Sequence, residues 1–150
     1  MQNGNTNKIW ELLNKIPDPE IPAISVVELG VIRDVKLTNN FFVISITPTY
    51  SGCPAIKAFQ DDIKVCLKEN NIYNFKLIIK YDPPWTTDLM TEETKEKLMN
   101  YGISPPSNII VCPQCKSEKS QLISEFGSTA CKSLYKCINC LEPFEHFKCI

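Results

Sequence analysis

Four of the eight cysteines fall in two pairs, Cys112-Pro113-Gln114-Cys115 and Cys137-Ile138-Asn139-Cys140, which enclose 21 residues. A C-x-x-C turn lets two thiolates converge on one ion, and two such turns supply the four soft ligands of a closed tetrahedral zinc site. The spacing predicts a zinc ribbon. Gln121 to Phe126 and Cys131 to Lys136 read as a hairpin around Gly127-Ser128, and Phe144 to Cys149 reads as a third strand. About 40 residues hold too little core to fold alone, so Zn2+ would supply much of the stability. A rubredoxin-like iron centre uses the same four sulfurs, and redox-active dithiols are a further alternative that tight zinc would count against. Cys131, His146 and Cys149 lie in the same segment. They read as packing or surface residues, with a second, labile metal or thiol position as the alternative.

Cys53 has a different setting. It follows Thr47-Pro48-Thr49-Tyr50-Ser51-Gly52, and Pro54 behind it opens a helix. At a helix start the unpaired N–H groups and the dipole favour an anion, which lowers a thiol's pKa. Gly52 permits close backbone approach, and the hydroxyls of Thr47, Thr49 and Ser51 are potential donors. Such a turn suits a nucleophilic thiolate or a transient metal ligand, and equally a buried cysteine that caps a helix. Asp18 and Glu20 alternate with prolines, and Glu28 precedes Leu29-Gly30. These carboxylates could hold a metal, cap a helix or simply be solvated. Asp82 to Asp88 is a second rigid loop, in which Trp85 is either an exposed contact aromatic or a packing residue. Cys66 lies on the apolar stripe of the helix after Cys53 and reads as core.

The elements that must position these groups follow from the apolar periods. Ile9, Leu12, Leu13 and Ile16 repeat at helical spacing up to Pro17. Val31 to Leu37 and Phe41 to Ile46 form two strands around an Asn39-Asn40 turn. Ile56, Phe59, Ile63 and Leu67 mark the helix after Cys53, Phe75 to Tyr81 a third strand, and Thr91 to Gly102 a last helix. A crossover helix between the second and third strands makes their parallel pairing plausible. The fold class is α+β, a small helix-on-sheet domain over 1–106 and a zinc ribbon over 107–150, divided at Ser104-Pro105-Pro106.

Composition narrows the function. The 150 residues carry a formal charge of −1, with 11 basic and 13 acidic residues up to Pro106 and 5 and 4 after it. Arg33 is the only arginine, which speaks against nucleic acid as a partner. No apolar run reaches the roughly 18 residues of a membrane span, and the polar N-terminus lacks a signal peptide's apolar core. Clustered C-x-x-C cysteines without such a signal point to a reducing, cytoplasmic setting. With one histidine, no phosphate-binding glycine loop and no nucleophile elbow, the chain is not expected to be an autonomous enzyme.

Asp18-Pro19-Glu20-Ile21-Pro22, Glu28-Leu29-Gly30-Val31-Ile32 and Gly52-Cys53-Pro54 resemble, in order, the motifs of the SufT-like family of iron–sulfur assembly factors. Ile46 to Ala55, Pro84 to Asp88, Ser124 to Lys132 and the ending Phe147-Lys148-Cys149-Ile150 narrow the resemblance to one subgroup. That subgroup is the D subunits of bacterial phenylacetyl-CoA epoxidases, the ring-epoxidising monooxygenases of phenylacetate catabolism. The resemblance spans the whole chain. It implies an accessory role, with catalysis on separate diiron and reductase polypeptides. It also implies that Cys53 handles a transient iron or iron–sulfur cluster, with Asp18 and Glu20 as neighbours of that site. The implied partners are protein subunits of the epoxidase complex. A structural or regulatory docking role without metal transfer is the alternative, and the sequence leaves open whether the chain forms a homodimer.

Overall fold

Asn39 and Asn40, at φ 50° and 65°, reverse the chain between β1 (Ile32–Thr38) and β2 (Phe41–Ile46), which pair antiparallel. Asparagine tolerates the left-handed region, and a two-residue turn of this kind matches the twist of a hairpin. The structure is a computed structural model that describes residues 2–49 and 55–149. Two compact units divide it, Met1–Trp85 and Thr86–Ile150.

In the first unit, α3 (Ile56–Glu69) carries the chain from β2 to β3 (Phe75–Ile79), which pairs parallel to β2 as its crossover helix leads one to expect. The sheet order is β1-β2-β3. Phe59, Ile63 and Leu67 recur at helical spacing and are buried, as are Ile9 and Leu13 of α1 (Gln2–Leu13) and Ile44 and Ile46 of β2. These alternate strand positions and helical stripes share one core. A short α2 (Val26–Leu29) precedes β1. Ser25 Oγ accepts from the Glu28 amide at 3.0 Å, and the Glu28 carboxylate accepts from the Ser25 amide at 3.2 Å. This reciprocal cap satisfies two otherwise orphaned donors. Of the readings open for Glu28, helix capping is the one observed. Gly30, at φ 88°, closes α2 in the left-handed conformation that glycine adopts without strain.

Of the two readings open for Trp85, packing is the one observed: it is 2% exposed, and its indole N–H donates to the Leu29 carbonyl at 2.9 Å. One expectation for this unit changes. Cys66 is half-buried rather than core. It sits at the edge of the α3 stripe, its thiol 3.6 Å from the Leu12 carbonyl, beside a hollow lined by Lys15, Asp62 and Glu69. Burial, then the Glu69 charge, pushes its pKa up, so it is a poor nucleophile.

The second unit begins with a 3-10 turn (Thr87–Leu89) and α4 (Glu92–Tyr101). Thr91 caps α4 by accepting from the Thr94 amide at 3.2 Å, and Gly102 ends it at φ 99°. A four-stranded sheet follows, ordered β4-β7-β6-β5, from β4 (Ile103–Ser104), β5 (Ser120–Ser124), β6 (Lys132–Cys137) and β7 (Pro143–Phe147). The three antiparallel strands are those expected of a ribbon. β4 is an addition, paired parallel to β7 through Ile103 and Ser104. Pro105 and Pro106 follow directly on this strand. At the β5–β6 connection the Ser128 amide donates to Glu145 Oε2 at 2.7 Å, and a Cβ at Gly127 would collide with that carboxylate.

Candidate functional site

The two C-x-x-C segments fold into the same knuckle. In the first, the Lys116 amide donates to the Cys112 carbonyl at 2.9 Å and the Cys112 amide to the Ser117 carbonyl at 2.9 Å. In the second, the Leu141 amide donates to the Cys137 carbonyl at 3.1 Å and the Cys137 amide to the Glu142 carbonyl at 2.9 Å. Lys116 and Leu141 occupy equivalent left-handed positions, at φ 64° and 65°. A side chain is strained there, so Leu141→Gly is expected to raise the stability of the zinc-loaded chain by about 0.5–1 kcal/mol. A thermal melt at fixed zinc concentration checks it.

The knuckles bring Cys112, Cys115, Cys137 and Cys140 together, with all four sulfurs within 4.8 Å of one another. The Cys112–Cys140 and Cys115–Cys137 sulfurs are 3.6 and 3.4 Å apart. Four Zn–S bonds of about 2.3 Å in a tetrahedron put sulfurs about 3.8 Å apart, so the donor set fits that ion. The electrostatics point the same way. The Cys140 amide, 3.4 Å from Cys137 Sγ, is the main cause that pushes the Cys137 thiol down to about 6, helped by the Cys115 sulfur. Cys140 goes the opposite way, up to about 12, because desolvation and its three sulfur neighbours outweigh the favourable Glu142 amide. Four adjacent thiols cannot all ionise by themselves, and a divalent cation removes the repulsion. Phe144, Tyr135 and Ile110 pack against Cys112 and Cys137 as a small apolar shell.

Cys131, His146 and Cys149 join no group of three or more ligating side chains among the described residues. Cys131 is buried with its sulfur 3.0 Å from Thr129 Oγ1, and Cys149 is exposed. His146 is buried, its ring edge-on to Tyr135, and its Nδ1 has no hydrogen-bond partner among the described residues. Burial pushes its pKa down, opposed in part by a hydrogen bond to the Ser104 backbone. A histidine that is harder to protonate folded than unfolded leaves the unfolded chain with more bound protons. Stability is therefore full at pH values above the unfolded histidine pKa of about 6.5 and declines as pH falls from there toward the lower folded pKa. Denaturant midpoints between pH 7.5 and 5.5 should fall in the zinc-loaded protein, and less steeply in His146→Phe, which separates this effect from proton competition for zinc.

The expected Cys53 site is split by what the structure describes. Cys53, Gly52 and Ser51 lie outside the described residues. Ala55, in helical conformation and without a side-chain cap, leads into α3. Thr47 and Thr49 are buried on the segment that leaves β2. The Thr47 amide donates to the Val31 carbonyl at 2.9 Å, while its buried hydroxyl has no partner among the described residues. Asp18 is 3% exposed, and its Oδ1 accepts from the Glu20 and Ile21 amides, both at 2.7 Å. It organises the proline-bracketed turn, and neither Asp18 nor Glu20 joins a metal-ligating cluster among the described residues.

The two modules match two family models. Residues 6–70 match "Iron-sulfur cluster assembly protein", and residues 103–148 match "PaaD zinc beta ribbon domain". Over 153 aligned residues the chain is 46% identical to the putative 1,2-phenylacetyl-CoA epoxidase D subunit of Escherichia coli, covering 96% of this chain and 93% of the relative. The chain belongs to the D-subunit family of phenylacetyl-CoA epoxidases. Shorter relatives align with only part of this chain. An Fe-S protein maturation auxiliary factor of Bacillus subtilis is 29% identical and aligns with 63% of this chain but 94% of its own length. A crystal structure of a domain of unknown function, DUF59, from Bacillus anthracis superposes at a TM-score of 0.60 and 31% identity, covering 65% of this chain and 93% of that one. A conserved hypothetical protein of Thermotoga maritima follows at 0.52 and 26%, covering 61% and 91%. Among the described residues no helix is long and apolar enough to cross a membrane.

Ser25-x-x-Glu28 is a capping-box signature, which favours capping over the other readings open for Glu28. The placement of Arg33 at a bulge in β1 had no sequence signal.

Proposed function

We propose that the chain is a cytoplasmic accessory protein that matures a phenylacetyl-CoA epoxidase by assisting iron or iron–sulfur assembly in a catalytic or reductase subunit. One observation carries the reading: a single chain joins an iron–sulfur assembly domain to a PaaD ribbon, aligned along nearly all of a putative epoxidase D subunit. In this role Cys53 transiently holds the iron cargo at the turn after β2. Thr47, Thr49, Ser51 and Gly52, with Asp18 and Glu20, are the supporting residues that the sequence assigns to that thiol. Cys112, Cys115, Cys137 and Cys140 hold a structural zinc ion, whose charge compensates four thiolates and locks both knuckles. The chain itself performs no substrate chemistry.

A docking role without metal transfer is the second reading. The ribbon favours it by exposing Ile109, Leu122, Ile123, Phe126, Ile138 and Leu141, apolar side chains suited to a protein surface. Anaerobic reconstitution of the purified full chain with ferrous iron and sulfide separates the two. Metal transfer through Cys53 predicts iron bound beyond the zinc complement in wild type, reduced at least about fivefold in Cys53→Ser with zinc unchanged. Equal iron in both proteins would favour docking.

A further inference from the structure

Beside the first sheet, within the Met1–Trp85 unit, lies a pocket of about 250 Å³. Arg33 and Asp34 of β1, Ser45 of β2, and Thr47, Lys80 and Asp82 beyond the strands line it. β2 and β3 run parallel, so Thr47 and Lys80 leave the sheet at the same end, where the Lys80 amide donates to the Ile46 carbonyl at 2.8 Å. Carboxyl ends of parallel strands are a recurrent ligand position. We infer that this pocket binds a singly charged carboxylate through Arg33, Lys80 and the Thr47 hydroxyl.

Three independent observations carry the inference. Arg33 is the only arginine of the chain, and it is the extra residue of a β-bulge, since the β1–β2 register shifts between Ile32 and Asp34. A bulge re-aims the residue it carries. Arg33 Nη1 lies 3.5 Å from the Pro84 carbonyl, a long contact that leaves much of the guanidinium's donor capacity unused. Thr47 is 2% exposed, and its hydroxyl has no partner among the described residues, an unsatisfied donor that a ligand oxygen would pair.

Charge and size select the ligand class. Asp34 lies 3.4 Å from the Lys36 ammonium, and that exposed pair adds no net charge. Arg33 and Lys80 share the pocket lining with Asp82, which leaves one positive charge in excess. A doubly charged phosphate would be undercompensated beside Asp82, whereas one carboxylate balances the pocket. The planar guanidinium fork also matches a carboxylate's two oxygens. The volume accepts a carboxyl group with a short organic substituent, below the about 300–1,000 Å³ of pockets for larger ligands. A free small acid and an acidic side chain of a protein partner both present this group. The inference uses neither Cys53 nor the zinc cysteines and shares only Thr47 with the proposed cofactor site, so loss of carboxylate binding in Arg33→Gln with iron binding retained would leave that role standing.

The test is a titration of the zinc-loaded, 15N-labelled full chain, followed by amide chemical shifts. The probes are sodium acetate and N-acetylglutamate amide, with sodium phosphate and sodium chloride at matched ionic strength. Both carboxylates should produce saturable shifts at Arg33, Thr47 and Lys80 below about 50 mM. Arg33→Gln should weaken them about tenfold, and Thr47→Val about threefold, with zinc content and melting temperature retained. Tighter binding of the glutamate amide would assign the group to a protein partner, and tighter acetate binding to a free acid. Non-saturable shifts, an equal response to chloride, stronger phosphate binding, or affinity unchanged in folded Arg33→Gln would each overturn the inference.

Discussion

Replacing Cys137 with serine is expected to weaken zinc binding severely and to unfold the ribbon while the first unit keeps its structure. Cys137 is fully buried at the centre of the small cluster with Cys112 and Phe144, and it ends β6. Beyond that cluster and the residues around Phe147, the ribbon has few large buried side chains, and many of its apolar residues are exposed. Structural zinc contributes on the order of 10 kcal/mol to modules of this size, comparable with the whole stability of an ordinary domain. Zinc retained after exhaustive dialysis should fall from about one ion per chain to a small fraction, because three thiolates and a water hold the ion far more weakly than four thiolates. Hydrogen exchange should show β5, β6 and β7 losing protection. Amides of β1 to β3 should stay protected, since Ile9, Leu13, Ile44, Ile46, Phe59 and Ile63 form a core of their own. Retained protection of the ribbon without zinc would mean that the metal is not what folds it.

Trp85→Ala is expected to destabilise the first unit by about 3–5 kcal/mol, the range for emptying a large buried aromatic site. The side chain is nearly inaccessible, and its N–H satisfies the Leu29 carbonyl beside the Gly30 turn. Two losses therefore combine, a cavity and an unpaired carbonyl. Trp85→Phe restores much of the volume but not the donor, and should cost about 1–3 kcal/mol. Chemical denaturation followed at β1–β3 amides would separate the two. The indole also fixes the segment that supplies the Pro84 carbonyl near Arg33, so Trp85→Ala should loosen the pocket end of the sheet as well. If both variants proved within about 0.5 kcal/mol of wild type, the segment would be held by other contacts.

The sequence carried the parts of this fold that local chemistry dictates. Asn39-Asn40 specified the hairpin, the stripe of Phe59, Ile63 and Leu67 specified the crossover helix, and Thr91 and Gly102 bracketed α4. The two C-x-x-C knuckles were the most legible feature, because four soft ligands at that spacing have few other uses. Features set by distant partners were not legible. β4 is two residues long and pairs with the edge that β7 offers, which no local pattern announces. Trp85 follows two prolines in a loop-like stretch that left contact and packing equally open, and its hydrogen-bond partner Leu29 lies 56 residues away. Asp18 stood as a carboxylate with several possible uses, and at least one oxygen is committed to two backbone amides. Arg33 is re-aimed by a register shift that no residue type announces.

The most direct test of the accessory role is to co-express the other epoxidase subunits with the wild-type chain, with Cys53→Ser, or with neither, and to measure iron in the purified catalytic and reductase subunits. Delivery through the thiol predicts full iron with wild type and a loss of at least about fivefold with Cys53→Ser, close to the level when the chain is omitted, while the variant keeps its zinc and its fold. Full client iron with Cys53→Ser, or with the chain omitted altogether, would contradict it.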